Sequence, residues 1–286
     1  MRVLTLICLV APVLTACPPP AEGEGEGEGE GEGEGEGEGE GEGEGEGDLW
    51  RPATGTTWQI TLSVVPTARD QDVQAWDLDL FDTPSATVEL LQAGGTRVIC
   101  YFSAGTYEPG RPDSASFPPA VLGNNYEDPA FVEERYLDIT DPIVMELMAA
   151  RLDLAVTKGC DAVDPDNVDL FDHDTGFAIT PAQMRDFNLA LAAAAHVRGL
   201  AVGLKNDLAQ LGDVAQAYEF AVNEECFTWN ECDTYADNFL AEGKPVFHIE
   251  YVPASQAAAV CAVTQPLGLS TVIKSYDLDA AVTYCP

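Results

Sequence analysis

The chain alternates short apolar runs with longer segments of helical periodicity from residue 57 to its end. Eight of the apolar runs have the length and the β-branched and aromatic content of buried strands. Their bounds are Thr57–Leu62, Trp76–Phe81, Arg97–Phe102, Asp161–Asp164, Ala201–Lys205, Phe220–Asn223, Val246–Tyr251 and Thr271–Lys274. Buried strands that alternate with helices predict an α/β domain built on a parallel sheet.

Two of the segments between these strands carry clear helix signals. The segment from Pro142 to Lys158 follows Asp141, a good N-cap residue, and stops at Gly159. The segment from Pro181 to Arg198 repeats this arrangement and is rich in alanine. Eight β-then-α units predict a single (β/α)₈ TIM barrel. A doubly wound open sheet is the alternative, but no strand is followed by the GxGxxG pattern that binds dinucleotides.

The first sixteen residues have the pattern of an export signal. Arg2 supplies a positive charge, an apolar run follows from Val3 to Val13, and Leu14-Thr15-Ala16 precedes Cys17. Residues 1–16 are therefore predicted to be a lipoprotein signal peptide and Cys17 the lipidated N-terminus of the mature chain. A simple secretory signal with an incidental cysteine is the alternative. The apolar run is too short to persist as a membrane-spanning helix.

A lipidated cysteine would anchor the mature protein to a membrane. The proline after Cys17 favours the outer membrane, so we expect a bacterial envelope protein, lipid-anchored at the outer membrane or cell surface. Residues 17–48 include a strict Glu-Gly alternation from Glu22 to Gly47. This segment offers no apolar face and repels itself, which predicts a disordered linker. Residues 49–286 then form one domain, whose length suits a barrel.

The folded part is strongly acidic. The net charge of the whole chain is −36, and leaving out the thirteen linker glutamates, Asp48 and Arg2 gives −23 for residues 49–286. A field of this sign argues against nucleic acid and anionic polysaccharides as partners, and it would attract a cationic ligand. Solubility of an exported protein is the alternative explanation of the charge.

Six cysteines follow the linker, an even number that suggests disulfides in an exported protein. Proximity along the chain favours Cys226–Cys232 and Cys261–Cys285, which leaves Cys100–Cys160. A zinc site is the competing interpretation, but the sequence has no CxxC pair and only three histidines. We therefore expect no metal and no cofactor.

The carboxyl ends of the predicted strands, where TIM barrels carry their chemistry, are polar in this chain. So many carboxylates are expensive to bury unless they face a polar cleft, although Asp207 alone could be a helix cap. The Pro-, Gly- and Asn-rich stretch from Gly105 to Asp138 is predicted to be an active-site loop. The strand-end residues are Asp77, Asp79, Asp82, Tyr101, Ser103, Asp164, Asp166, Asn167, Lys205, Asn206, Asp207, Asn223, Glu224, Glu225, Glu250, Tyr251 and Lys274.

Paired carboxylates without histidine fit the cleavage of glycosidic bonds. The chain has no GxSxG nucleophile motif, and the segment after Asp164 fails the EF-hand pattern at Val168 and Asp169. One carboxylate would attack the anomeric carbon or activate water, and a second, with a raised pKa, would protonate the leaving oxygen. Lys205 beside such a pair would hold its closer neighbour ionised and so separate the two roles.

Ordered blocks such as Asp77-Leu78-Asp79-Leu80-Phe81-Asp82, Cys100-Tyr101-Phe102-Ser103-Ala104-Gly105, Arg111-Pro112-Asp113, Pro165-Asp166-Asn167 and Gly203-Leu204-Lys205-Asn206-Asp207 carry a family resemblance. The domain resembles glycoside hydrolase family 114, the endo-α-1,4-polygalactosaminidase-like proteins, over nearly all of residues 57 to 285. The resemblance implies an endo-acting hydrolase of α-1,4-linked galactosamine polymers. By position, Asp166 corresponds to the family's proposed nucleophile and Glu224 to its proposed general acid/base. The residues expected to line the sugar subsites are Asp79, Tyr101, Ser103, Asp164, Asn167, Lys205, Asn206, Glu250, Tyr251 and Lys274.

Two departures from the family pattern bear on substrate fit. Asp164 stands where the family commonly has glutamate, and Gly110 stands where it often has tryptophan before Arg-Pro-Asp. The leading expectation is a monomeric glycosidase, retaining or inverting, acting on a cationic amino-sugar polysaccharide. Asp164 motivates an alternative, a surface lipoprotein that binds the polymer without cleaving it, and a metal-dependent deacetylase is the third hypothesis. Trp76, Tyr107 and Trp229 are candidates for stacking on sugar rings.

Overall fold

The computed structural model describes residues 49–68 and 71–285. The predicted signal peptide (residues 1–16), the predicted lipidation site Cys17 and the predicted Glu-Gly linker lie outside the described residues, and they stay predictions. Within the described part of the chain, no helix is both long and apolar enough to cross a bilayer.

Eight parallel strands curl into a barrel, which confirms the predicted fold class. The barrel order is β1-β2-β3-β7-β8-β9-β10-β11, and each strand is parallel to its neighbours in this order. These are the eight predicted strands, with bounds that differ by two residues or fewer. In chain order, the strands are β1 (Trp58–Thr61), β2 (Ala75–Asp79), β3 (Arg97–Ser103), β4 (Thr106–Tyr107), β5 (Leu122–Asn125), β6 (Arg135–Leu137), β7 (Ala162–Asp166), β8 (Ala201–Lys205), β9 (Phe220–Glu224), β10 (Val246–Glu250), β11 (Ser270–Ile273) and β12 (Thr283–Tyr284).

The barrel closes through side chains where β1 and β11 meet. The Trp58 indole on β1 donates to the Ser270 carbonyl on β11 at 2.7 Å, and its ring stacks on Phe247 with centroids 5.0 Å apart. Strand β12 pairs antiparallel with β11. It therefore fills the edge of β11 that would face β1 in a fully hydrogen-bonded barrel.

The helices lie outside the strands and begin where the sequence predicts. Asp141 caps the second helix by accepting a hydrogen bond from the Ile143 N–H at 3.0 Å, and Thr180 forms a capping box with Gln183 at the start of the third. The third helix ends two residues before the predicted Arg198. The helices are α1 (Ser85–Ala93), α2 (Pro142–Lys158), α3 (Pro181–His196), α4 (Leu211–Val214), α5 (Cys226–Trp229) and α6 (Ala257–Leu267).

The helical layer is thinner than eight complete units would make it. Helices α4 and α5 are single turns of 4 residues, and no helix occurs in residues 62–68 and 71–74 between β1 and β2. The stretch from Gly105 to Asp138, which we predicted to be an active-site loop, contains the antiparallel sheet β4-β6-β5. Arg151 of α2, which is buried, donates to Asp113 and to the Ser103 carbonyl. These bonds tie the insertion to the barrel.

The inside of the barrel is apolar at one end and polar at the other. Residues two apart on a strand face the same side. Trp58 on β1, Phe220 on β9 and Phe247 on β10 face inward and fill the interior below the strand ends, as part of one buried apolar cluster. Gly203 makes room for this cluster, since a Cβ there would meet the Phe220 ring at 2.3 Å. The inward positions nearer the carboxyl ends carry the polar residues, which defines where a site can form.

The three disulfides are the predicted ones: two pairs chosen by proximity along the chain and the pair that they leave. Cys100–Cys160 links β3 to the second residue before β7. Cys226–Cys232 links the first residue of α5 to the segment after it, and Cys261–Cys285 links α6 to the C-terminal segment. The sulfur atoms of Cys226 and Cys232 lie within 4.8 Å of a ring nitrogen of His248. Because these two sulfurs are bonded to each other, they are not thiolate ligands for zinc.

Candidate active site

Lys205 lies between two carboxylates at the carboxyl end of the barrel. Its Nζ is 3.0 Å from Asp166 Oδ1 and 3.0 Å from Glu224 Oε2. The two oxygens that share the ammonium are therefore no more than 6.0 Å apart, the sum of the two contacts. Asp166, Lys205 and Glu224 are the last residues of the adjacent strands β7, β8 and β9. The structure thus brings the two predicted catalytic residues together around one cation.

Asp166 is held by neighbours from β3 and from its own strand end. Tyr101 OH donates to Asp166 Oδ2 at 2.9 Å, and the Asn167 backbone N–H donates to Oδ1 at 2.8 Å. The Asn167 side-chain amide donates to Ser103 Oγ at 2.9 Å. Ser103 lies opposite Asp166 in the β3–β7 register. Three predicted subsite residues, Tyr101, Ser103 and Asn167, therefore form one network with Asp166.

Glu224 is held by donors from β8 and β10. Tyr251 OH donates to Glu224 Oε1 at 2.5 Å, and the Asn206 side-chain amide donates to Oε2 at 3.2 Å. Burial by itself would raise the pKa of this carboxyl, but the charge of Lys205 and the hydrogen bonds from Tyr251, Lys205 and Asn206 lower that pKa. Glu224 is therefore a carboxylate in the free protein at neutral pH.

Lys205 does not separate the roles of the two carboxylates in the way we expected. Its side chain is buried, which would lower the pKa of an unpaired amine, yet Asp166, Glu224 and Asp164 together raise its pKa well above the usual value. Its contacts to Asp166 and Glu224 have the same length, so neither carboxylate is its closer neighbour. The cation therefore does not distinguish one carboxylate from the other by distance.

The backbone is strained where β7, β8 and β9 end. Asn167, Asn206 and Glu225 directly follow these strands and have φ values of 59°, 48° and 62°. Asparagine tolerates this left-handed region, but glutamate rarely adopts it. Gly105 belongs to the same crowded region, because a Cβ there would lie 1.8 Å from the Asn167 carbonyl oxygen. Strain of this kind persists at functional sites because the surrounding contacts hold it in place.

The predicted subsite residue Asp164 forms the floor of the site. It lies two residues before Asp166 on β7 and is 0% exposed, as is Asp77 on β2. Burial raises the pKa of Asp164 to about 7 and that of Asp77 well above its usual range. These two carboxyls are therefore beneath the surface that a sugar could touch.

Glu250 is not brought to this cluster, contrary to its prediction as a subsite residue. It follows Ile249, an inward position of β10, and so faces the outer side of the strand. There it accepts hydrogen bonds from the backbone N–H groups of Phe227 and Thr228 and pairs with His248 Nε2 at 3.0 Å. Glu250 holds α5 and does not line the cleft.

Lys274 and Asp79 also have structural partners. Lys274 Nζ donates to Gln59 Oε1 at 3.2 Å and to the Asp279 carbonyl at 2.5 Å, next to the seam between β1 and β11. Burial lowers its pKa to about 8. Asp79 accepts two backbone N–H bonds and pairs with Arg111 at 2.7 Å. Asp79 therefore fixes the frame of the site, whereas Lys274 also lines a groove at the ends of β10 and β11.

An acidic groove of about 730 Å³ lies on the β3 side of the pair, and Asp82 is the only one of its lining residues that was among the predicted strand-end residues. Glu108 and Glu134 line it, together with Arg111, whose guanidinium pairs with Glu108 Oε1 at 2.6 Å. One oxygen of Glu108, Oε2, is buried and has no hydrogen-bond partner among the described residues. Burial raises the pKa of Glu134 to about 7. Both residues belong to the segment predicted as a loop, so their approach to the site depends on the β4-β6-β5 sheet.

An aromatic groove of about 460 Å³ lies on the other side, at the ends of β10 and β11. Tyr251 stacks on Tyr276 there with ring centroids 4.4 Å apart, and Tyr276 is 70% exposed. Tyr276 was not among the predicted site residues; it lies in the loop after β11, the last strand of the barrel. Of the predicted stacking residues, Trp76 is buried on the outer face of β2 and Trp229 is exposed. Tyr276 is therefore better placed than Trp76 to meet a sugar.

Comparison with known proteins settles the family. The sequence matches the glycoside hydrolase family GH114 over residues 41–286. The protein belongs to this family of glycoside hydrolases. It is similar to Ega3 from Aspergillus fumigatus, solved in complex with galactosamine, with 44% identity, coverage of 82% of this chain and 97% of that one, and a TM-score of 0.79.

More distant structures share the fold. The glycoside hydrolase domain of PelA from Pseudomonas aeruginosa is 15% identical, with 80% of this chain and 98% of that one covered and a TM-score of 0.62. TtGalA, an α-galactosidase from Thermus thermophilus, is 15% identical, with 77% and 58% covered and a TM-score of 0.50. At these identities the similarity concerns the barrel alone. No curated protein sequence gives a significant match.

Replacing Lys205 by methionine should destabilise the protein by about 3–5 kcal/mol at pH 7, because Asp166 and Glu224 lose their shared cation. The deficit should shrink as the pH falls. In the variant the folded-state pKa of Glu224 rises above its unfolded value, so protonation at low pH favours the folded state. Urea unfolding at pH 7 and near pH 4.5 measures both effects.

Lys244→Met is the matched control. Lys244 donates to the Ala215 carbonyl, so its loss should give a deficit that hardly changes over the same pH range. An equal, pH-independent loss in both variants would show that Lys205 acts through packing and not through charge.

Proposed function

We propose that this glycoside hydrolase cleaves α-1,4-linked galactosamine-type polysaccharides within the chain and retains the anomeric configuration. The observation that carries the proposal is the arrangement of Asp166, Lys205 and Glu224 at the carboxyl end of the barrel. The substrate class is supported by the 44% identity to Ega3, whose structure contains galactosamine. It is supported further by the acidic groove beside the pair.

The separation of the two carboxylates supports retention. Retaining glycosidases hold their carboxyl groups about 5–5.5 Å apart, and inverting enzymes hold them about 6.5–9.5 Å apart to admit a water molecule. The oxygens of Asp166 and Glu224 that contact Lys205 cannot be more than 6.0 Å apart. This spacing favours direct attack by one carboxylate over activation of a water molecule between them.

In the proposed reaction, a carboxylate oxygen of Asp166 bonds to the anomeric carbon while the bond to the leaving sugar breaks. Glu224 gives its proton to the leaving oxygen. Water then transfers a proton to Glu224 and attacks the anomeric carbon, which releases Asp166. Two inversions leave the α configuration unchanged.

This assignment requires Glu224 to gain a proton when the substrate binds. In the free protein its carboxylate is favoured by Lys205 and by hydrogen bonds from Tyr251 and Asn206. A sugar that takes over the Tyr251 or Asn206 donor would remove part of this preference and exclude water. The pKa of Glu224 would then rise, as a general acid needs.

The two grooves flank the pair and suit a polymer that crosses it. Glu108 and Glu134 supply carboxylate oxygens on one side, where an ammonium group at C2 of an amino sugar could bind. Tyr276 stacked on Tyr251 supplies an apolar ring face on the other side. Binding of sugars on both sides of the cleaved bond is what an endo-acting enzyme needs.

Asp166→Asn should abolish cleavage, and Glu224→Gln should lower its rate by about 10²–10⁴-fold, because one removes the nucleophile and the other the proton donor. The measurement is mass spectrometry of the products from partly deacetylated polygalactosamine. We expect short oligomers from the wild type and from Asp186→Asn, a control that changes an exposed carboxylate on α3.

Full activity of Glu224→Gln on this polymer would contradict the assigned roles. Intact polymer in every sample, together with binding that Asp166→Asn leaves unchanged, would instead favour a binding protein without catalysis. Release of acetate without chain cleavage, lost on treatment with a chelator, would favour a deacetylase.

Glu108→Gln and Glu134→Gln should each raise KM for the deacetylated polymer by about 10-fold, because a charge-assisted hydrogen bond to the ammonium is lost. For the wild type, KM should also rise as the pH falls through about 7, where Glu134 takes up a proton. Steady-state kinetics on deacetylated and fully acetylated polymers measure this. An equal KM increase on both polymers, or an equal effect of the distant Glu242→Gln, would rule out recognition of the amine.

We also propose that the enzyme acts as a monomer tethered to the bacterial outer membrane or cell surface through a lipid on Cys17. The proposal rests on the sequence of residues 1–17 and the acidic segment after it. Cys17→Ser should move the protein from the membrane fraction to the soluble fraction of a bacterial host. A wild type that is already soluble and carries no acyl mass at its N-terminus would contradict the anchor.

A further inference from the structure

A second pair of carboxyls lies beneath Asp166 and Glu224, inside the barrel. Asp77 is on β2 and Asp164 is on β7, two residues before the ends of those strands. Both side chains are 0% exposed. None of their four carboxyl oxygens receives a hydrogen bond from an N–H or hydroxyl donor among the described residues. The network that holds Asp166 and Glu224 does not extend to them.

Two carboxylates in this position cannot both be ionised at reasonable cost. An isolated buried carboxylate without donors is strongly disfavoured, and two adjacent ones also repel each other. A proton shared between the two carboxyls would supply the hydrogen-bond donor that all four of these buried oxygens lack. Burial raises the pKa of both carboxyls, and the charge of Asp164 raises the pKa of Asp77 further.

The charged groups that face this pair come from three strands. Lys205 on β8 favours ionisation of both carboxyls, whereas Asp166 on β7 opposes it. Glu224 on β9 opposes ionisation of Asp164. One proton on the pair leaves one negative charge facing the Lys205 ammonium from below, while Asp166 and Glu224 face it from the other side.

We propose that Asp77 and Asp164 share a single proton and act together as a positioning pair, whose one negative charge holds the Lys205 ammonium between Asp166 and Glu224. Neither residue touches the substrate. The pair acts through Lys205 and sets the pH range in which the two catalytic carboxylates have the correct protonation. The consequence for catalysis rests on the proposed function, but the shared proton does not.

Carbon-13 NMR of the intact protein, labelled at the aspartate Cγ, tests the shared proton without any substrate. Above pH 7, where Asp164 is ionised, we expect one protonated carboxyl resonance that disappears in both Asp77→Asn and Asp164→Asn, because an asparagine amide can replace the proton donor. Asp207, whose pKa burial raises to about 8, supplies a reference resonance that should remain in both variants. Two ionised or two protonated carboxyls at these positions would overturn the proposal.

The pH profile of kcat/KM tests the positioning role. Each single variant keeps one negative charge on the pair, so its bell-shaped profile should match the wild type. The double variant Asp77→Asn/Asp164→Asn removes that charge, which lowers the pKa of nearby carboxyls and should move the profile to lower pH by about one unit. Asp186→Asn is the control for loss of a distant charge and should leave the profile in place.

Each alternative gives a different pattern. If both carboxyls were ionised, the single variants would already shift the profile, and if both were neutral, the double variant would not shift it; either result contradicts the proposal. Should a variant fail to fold, the NMR titration of the wild type still counts the protons on the pair. Should the protein not cleave the polymer, the titration stands while the proposed function fails.

Discussion

The ammonium of Lys205 is the interaction on which the rest of the site depends. It is buried at the end of β8, with Asp166 and Glu224 at equal distance on either side. Without it, the strand ends of β7 and β9 would place two carboxylates against each other in a region of low dielectric. With it, each carboxylate can be aimed by neutral donors, Tyr101 for Asp166 and Tyr251 for Glu224.

The barrel accommodates this concentration of charge because its interior is divided into an apolar end and a polar end. Trp58, Phe220 and Phe247 fill the end away from the site, where apolar burial stabilises the fold. The polar end has strained backbone at Asn167, Asn206 and Glu225, which turns the chain sharply after three adjacent strands. Stability and chemistry are therefore separated along the barrel axis, as is usual for this fold.

The sequence predicted the features that depend on local pattern or strand order. Runs of apolar residues located all eight strands, and parallel strand ends necessarily bring Asp166, Lys205 and Glu224 to one edge. Two disulfide pairs also followed from proximity along the chain, and the third, Cys100–Cys160, was the pair left over. These predictions succeeded because the repeating β-then-α order leaves few ways to arrange the strands.

Features that depend on side-chain direction or on long-range packing were not predictable. Glu250 differs from an inward position by a single residue, and a one-residue step changes the face of a strand. Glu108 and Glu134 reach the site only because a small antiparallel sheet folds over it. Lys205 was expected to have one closer carboxylate, but its equal contacts depend on the exact stagger of three strands.

The most direct test of the account is the configuration of the first product, followed by proton NMR while the enzyme cleaves partly deacetylated polygalactosamine. If Asp166 is the nucleophile, the new reducing end appears first as the α anomer and then equilibrates with the β anomer. A β anomer formed first would mean inversion by an activated water molecule. That result would contradict a nucleophilic Asp166 and the short carboxylate separation that Lys205 imposes.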